Sequence, residues 1–212
     1  MKAVKLSAAI LALGLVASPL AAQLAGQPVY AIPKGVGLGL NADFGMQLDP
    51  SVTGGSNNLA VRATLGLPMI KVTAAFQPKM LDAGESAIMG GASFALMPAP
   101  VSVRIQATAG YGMTAKNLVA VPGVVIGLNV PSPMLSIEPY VMPSLRYTHF
   151  NGGGSNTAVG VSAGVNLGLP GGLGGHVALD YARFSIAGVT SHAVTGGIGI
   201  HYMLSVPGLG MM

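Results

Sequence analysis

The stretch GVGLGLNADFGMQL, residues 35–48, alternates. Val36, Leu38, Leu40, Ala42, Phe44 and Met46 take the even positions, and Gly37, Gly39, Asn41, Asp43 and Gly45 the odd ones. Glycine loses more backbone freedom on folding than any other residue, so its return at every second position needs a geometric reason. Collagen repeats every three residues and does not fit. Period two is that of a β-strand, whose successive side chains point to opposite faces. One face of this strand is greasy and the other is nearly bare.

Composition says where the greasy face goes. Only 8% of the 212 residues are charged, against roughly 25% in a soluble domain. Yet Gly, Ser, Thr, Asn or Ala breaks almost every apolar run, whereas a spanning helix needs about 20 mostly apolar residues in succession. Membrane-like apolarity with strand periodicity predicts an all-β fold, a closed antiparallel transmembrane β-barrel. A lipocalin-like soluble barrel would turn the same strands inside out. It would crowd Val, Leu, Ile, Phe and Tyr into a small lumen and leave a poorly soluble surface of Gly, Ser and Thr.

The chain opens with Lys2 and Lys5, an apolar LSAAILALGLVA and the small-residue stretch SPLAAQ, the three-part layout of a secretory signal peptide with cleavage expected after Ala22. The expected organisation is a signal peptide at 1–22, an N-terminal segment at 23–33, the barrel at 34–204 and a C-terminal tail at 205–212. No cysteine occurs, which excludes disulfides and a lipid-modified cysteine. From Lys34 onward there are eight Lys and Arg and six Asp and Glu. A balance that small speaks against nucleic acid as a partner.

The opening pattern recurs at 59–67, 70–77, 101–113, 135–147 and 157–169, with less regular strands at 86–96, 123–130, 176–184 and 192–204. That gives ten strands, with eight as the alternative if a weaker pair is loop. LPMI, MPAP, PSPM and LPGGLGG read as tight turns at one end, and DPSVTGGSNN, PKMLDAGES, MTAKNLVAVPG, FNGGGSNT and SIAGVTS as longer connections at the other. Short turns on one side and longer loops on the other are the habit of outer-membrane barrels. Pro139 and Pro143 each remove a ladder donor, which predicts a bulge or irregular pairing there.

Parity sorts the remaining side chains. Phe44, Phe76, Tyr111, Tyr147 and Tyr181 fall on the apolar face near the longer connections, as an aromatic girdle at a membrane interface requires. Asp43, Arg62, Lys71, Arg104, Glu138, Arg146 and Asp180 fall on the lumen face, as a charge network that either closes the interior or lines a narrow aqueous path. If the first hairpin is symmetric about the point between Val52 and Thr53, Asp43 and Arg62 lie directly opposite each other.

GVSAG, residues 160–164, matches G-x-S-x-G, but that chemistry needs a sharp strand-to-helix turn and Ser162 sits inside an alternating strand. His149, His176, His192 and His201 show no metal-ligand spacing, and the glycine clusters lack the lysine and helix of a phosphate loop. No cofactor, metal site or catalytic residue is expected, and the chain is not read as an enzyme.

TGGIGIHY, residues 195–202, places polar Thr195, Gly197, apolar Ile200 and aromatic Tyr202 at the spacing of a barrel assembly signal, with Met203 and then LSVPGLGMM following where such chains usually end. With the strand pattern, the chain resembles the small outer-membrane β-barrel families of Gram-negative bacteria, such as the transmembrane domain of outer-membrane protein A and the opacity-type porins. The resemblance implies the bacterial outer membrane as location, with its lipid and lipopolysaccharide and the barrel assembly machinery as partners. It implies a structural or porin-like role, passing small solutes or ions through a narrow polar lumen. A surface-adhesion barrel is the alternative, and an outer-membrane protease or lipid-modifying enzyme a third possibility.

Overall fold

A computed structural model describes residues 36–49, 57–79, 86–130, 132, 134–186 and 189–206. The segments 1–22 and 23–33, and the tail beyond Val206, lie outside the described residues. Ten strands follow one another: β1 (Gly37–Asp49), β2 (Asn58–Gly66), β3 (Ile70–Gln77), β4 (Ala87–Met97), β5 (Val101–Gly112), β6 (Leu118–Leu128), β7 (Ser136–His149), β8 (Ser155–Gly168), β9 (Leu173–Ile186) and β10 (Val189–Leu204). Each pairs antiparallel with its neighbours in sequence, and β1 pairs with β10, from Leu38 opposite Leu204 upward, to close the barrel. Closure removes both sheet edges and leaves no strand with an unpaired side.

The two-residue period becomes an inside and an outside. In β5, Ser102, Arg104, Gln106 and Thr108 are buried while Val101, Ile105 and Tyr111 are exposed. In β1, Asn41 and Asp43 are buried while Leu38 and Leu40 face out. The buried interior is therefore largely polar and the exposed wall largely apolar, the reverse of a soluble domain. We call the end where odd-numbered strands finish the upper end, and the other the lower end.

The connections at the upper end depart from the sequence reading. β6 begins at Leu118, not near 123, because LVAV continues the alternation and pairs directly with β5, Tyr111 opposite Leu118 and Ala109 opposite Ala120. The upper connection there shrinks to residues 113–117. β8 begins at Ser155 and β9 reaches Ile186, so the other late upper connections are also shorter than expected. At the lower end Val130, just past β6, bridges Ile137 of β7, and two of the four residues of PSPM, 131 and 133, lie outside the described residues. LPGGLGG does turn tightly, with Gly171 and Gly172 at φ of 86° and 90°, a conformation that suits glycine alone.

The prolines disturb one ladder without shifting it. Pro139 and Pro143 keep register with β8, opposite Val165 and Val161. On the β6 side the pairing is interrupted beside Pro122 and Pro143 yet resumes in the same register, Ala120 opposite Tyr147 and Ile126 opposite Val141. The irregularity is a gap in hydrogen bonding, as a missing N–H dictates, with no bulge in β7. Register shifts occur instead between Gln47 and Asp49 in β1 and between Ala95 and Met97 in β4.

Candidate functional site

The three acids with described side chains, Asp43, Glu138 and Asp180, all face the lumen, and each meets an arginine from another strand. Arg62 Nη2 donates to Asp43 Oδ1 at 3.1 Å, with the two side chains 2% and 0% exposed. Arg104 Nη2 lies 3.5 Å from Glu138 Oε1, which also accepts from Ser102 Oγ at 2.8 Å, while Asn166 Nδ2 donates to Glu138 Oε2 at 3.2 Å. Arg146 and Ser162 both donate to Asp180 Oδ1, and Thr195 Oγ1 reaches its Oδ2. Charges buried this deeply persist when paired and hydrogen-bonded. β2, β5 and β7 supply the arginines, and β1, β7 and β9 the acids, so each pair joins adjacent or next-but-one strands along the lumen wall.

The first pair forms in a register other than the expected one. Asp43 stands opposite Ala60 and Arg62 opposite Asn41, a two-residue shift from direct opposition. A shift of two preserves the face, and arginine's long stem bridges the diagonal, for which side chains of this length suffice. Asp43 also gains a neighbour that the sequence reading did not assign to it: His176 Nε2 lies 3.0 Å from its Oδ1, without the alignment of a hydrogen bond. Parity puts His176 on the same face as Asp180. Which acid it meets depends on the closing register, because Asp43, Gly199 and His176 share one row across β1, β10 and β9.

Glycine answers a spatial demand in that row. A Cβ on Gly199 would stand 2.5 Å from both Asp43 Oδ1 and His176 Cε1. The same holds where Arg146 lies across Gly160, 2.7 Å from such a Cβ, and where the Tyr140 ring lies across Gly164 directly opposite it. Large side chains of the lumen lie flat over the glycines of neighbouring strands. Tyr140 and Met142, with Val125 and Ala178, form an apolar cluster inside the barrel. That cluster was not anticipated. Its signal was present in the parity of YVM, where Tyr140 and Met142 share a face with Glu138 and Arg146.

Lys71 is half-buried on the lumen face near the lower end of β3. His201 also faces the lumen, its ring stacked at 6.3 Å on His176. His201 and Asn166 line a cavity of about 300 Å³ at the lower mouth, between the β6–β7 and β8–β9 connections. Both amide atoms of Asn41 are buried without a protein partner, the kind of polarity that internal water satisfies. On the outer wall stand Phe44, Phe76, Tyr111, Tyr147 and Tyr181, with Phe44 half-buried and the other four exposed. Phe76 and Tyr111 share one ladder row through Ile88. His149 and His192 are also exposed, and Ser162 lies in mid-strand with its hydroxyl engaged by Asp180. Among the described residues no group of three or more His, Cys, Asp or Glu is placed to hold a metal ion.

No protein-family model matches the chain, and no curated protein matches it. Among solved structures it is similar to a bacterial polysaccharide outer-membrane secretin, at 9% identity and TM-score 0.45 over 80% of this chain and 66% of that one. It is also similar to the KdgM porin in complex with disordered oligogalacturonate, at 12% identity and TM-score 0.45 over 79% and 99%. Neisserial surface protein A gives 11% identity and TM-score 0.40 over 79% and 96%. At such low identity, what this barrel does has to be read from its own residues.

Proposed function

We propose that the chain is an outer-membrane β-barrel of structural or narrow porin-like character, whose lumen is held shut at rest by arginine–carboxylate pairs. One observation carries the reading. Arg62, Arg104 and Arg146 are each buried against a carboxylate, with side-chain exposures of 2%, 8% and 6%, so the charges that would line a pore are spent on each other. The apolar outer wall suits a bilayer, and closure satisfies the backbone there. Partner-free polar atoms such as those of Asn41 favour a hydrated interior, suited to water and small ions. Among the described residues, the upper connections at 113–117 and 150–154 are short and offer little surface to an adhesion partner.

The test is conductance of the refolded chain in planar bilayers. Wild type is expected to stay near the bilayer baseline, and Arg104→Gln with Arg146→Gln to raise the frequency of open events. Large, stable wild-type channels would replace the closed-lumen reading with that of an open porin.

A further inference from the structure

We infer that the outer wall of β9 and β10, just above the aromatic girdle, carries a binding site for the phosphate of a membrane lipid headgroup, with Arg183 as its anchor. The inference rests on the reading that the apolar wall lies in a bilayer. Up the outer face of β9 the side chains run Val177, Leu179, Tyr181, Arg183 and Ser185. Arg183 stands opposite His192 of β10, and Ser185 opposite Thr190. The order is apolar, aromatic, cationic, hydroxyl, which is the order of acyl chain, interface and headgroup met on leaving a bilayer.

Arg183 is the one Lys or Arg on the outer wall of the strands among the described residues, since Arg62, Lys71, Arg104 and Arg146 face the lumen. It is exposed, and the acids with described side chains all face the other way. A guanidinium placed against hydrocarbon costs free energy unless it reaches the interface, where the anion at that depth is phosphate. Its planar fork takes two phosphate oxygens at once. His192 adds a second donor, and its ring is held by stacking on Tyr181, with centroids 6.1 Å apart and planes 23° from parallel. Tyr181 and Arg183 thus define a platform with a cation above it, open to the lipid side.

The experiment uses the full chain refolded into phosphatidylcholine bilayers containing spin-labelled phosphatidic acid or spin-labelled phosphatidylcholine, and compares the fraction of each that the barrel immobilises. Wild type should prefer phosphatidic acid by about tenfold at one site, the effect of a charge-assisted bidentate contact. Arg183→Gln should bring the preference to parity, Arg183→Lys should keep part of it, and Lys116→Gln in the β5–β6 turn should leave it unchanged. Equal preference in wild type and Arg183→Gln overturns the site. Loss of the preference on adding inorganic phosphate overturns the lipid headgroup as its ligand. Failure of the barrel to float with the bilayers overturns the membrane reading itself, a result distinct from insertion without lipid preference.

Discussion

Leu179 and Asp180 are neighbours in β9, yet their surroundings share almost nothing. Leu179 is 56% exposed on a wall where apolarity alone is asked of it. Asp180, one residue on, answers to Arg146, Ser162 and Thr195 from three other strands. The outer face is a solvent problem and the inner face is a packing problem. Lipid tails conform to whatever apolar shape is presented, whereas a closed polar interior must match donor to acceptor and volume to volume. Substitutions of equal chemical size should therefore differ in cost according to the face they fall on.

The largest effect is expected at the buried pairs. Arg62→Gln or Asp43→Asn alone should lower stability in lipid unfolding experiments by about 3–5 kcal/mol, because the remaining charge keeps its desolvation cost. The double variant should recover part of that loss, and additive effects in the cycle would show the pair to be uncoupled. Next comes a charge on the wrong face. Ile198→Arg, at a position 53% exposed on the outer wall, should cost about 2–4 kcal/mol near mid-membrane. If Ile198→Arg were harmless in lipid, the outer wall would not be in hydrocarbon.

Two glycines sharpen the contrast at the scale of one methyl group. Gly199→Ala drives a Cβ into Asp43 and His176 and should destabilise by about 1–3 kcal/mol, the cost of overpacking. Gly90 faces outward in β4, where the nearest atom to an added Cβ is Thr73 O at 3.9 Å. Gly90→Ala should stabilise slightly, by about 0.5 kcal/mol, through reduced freedom of the unfolded chain. Thermal unfolding of both variants in one lipid checks the pair, and equal effects would mean that the two faces are packed alike.

The sequence by itself determined the class of fold and the face of the side chains in its regular strands, and it favoured ten strands over eight. These depend on a two-residue period that any short window displays: Leu38, Leu40 and Phe44 against Asn41 and Asp43 is enough to separate wall from lumen. The seven lumen charges and the five aromatics of the outer wall could be named for that reason. Strand ends were less legible. LVAV in β6 continues past an expected loop because its pairing with β5 outweighs the nearby proline, a balance that local pattern does not express.

Only the tertiary structure decided who meets whom. Parity is unchanged by a register shift of two, so it placed Asp43 and Arg62 on one face and left open whether they stand opposite or, as they do, diagonal. The meeting of Asp43 with His176 depends on β10 lying between them, and hence on the closure of first strand to last, separated by most of the chain. Gly199 shows the same division. The sequence supplies a small residue, and the closed barrel makes its missing Cβ the space in which a carboxylate and an imidazole meet.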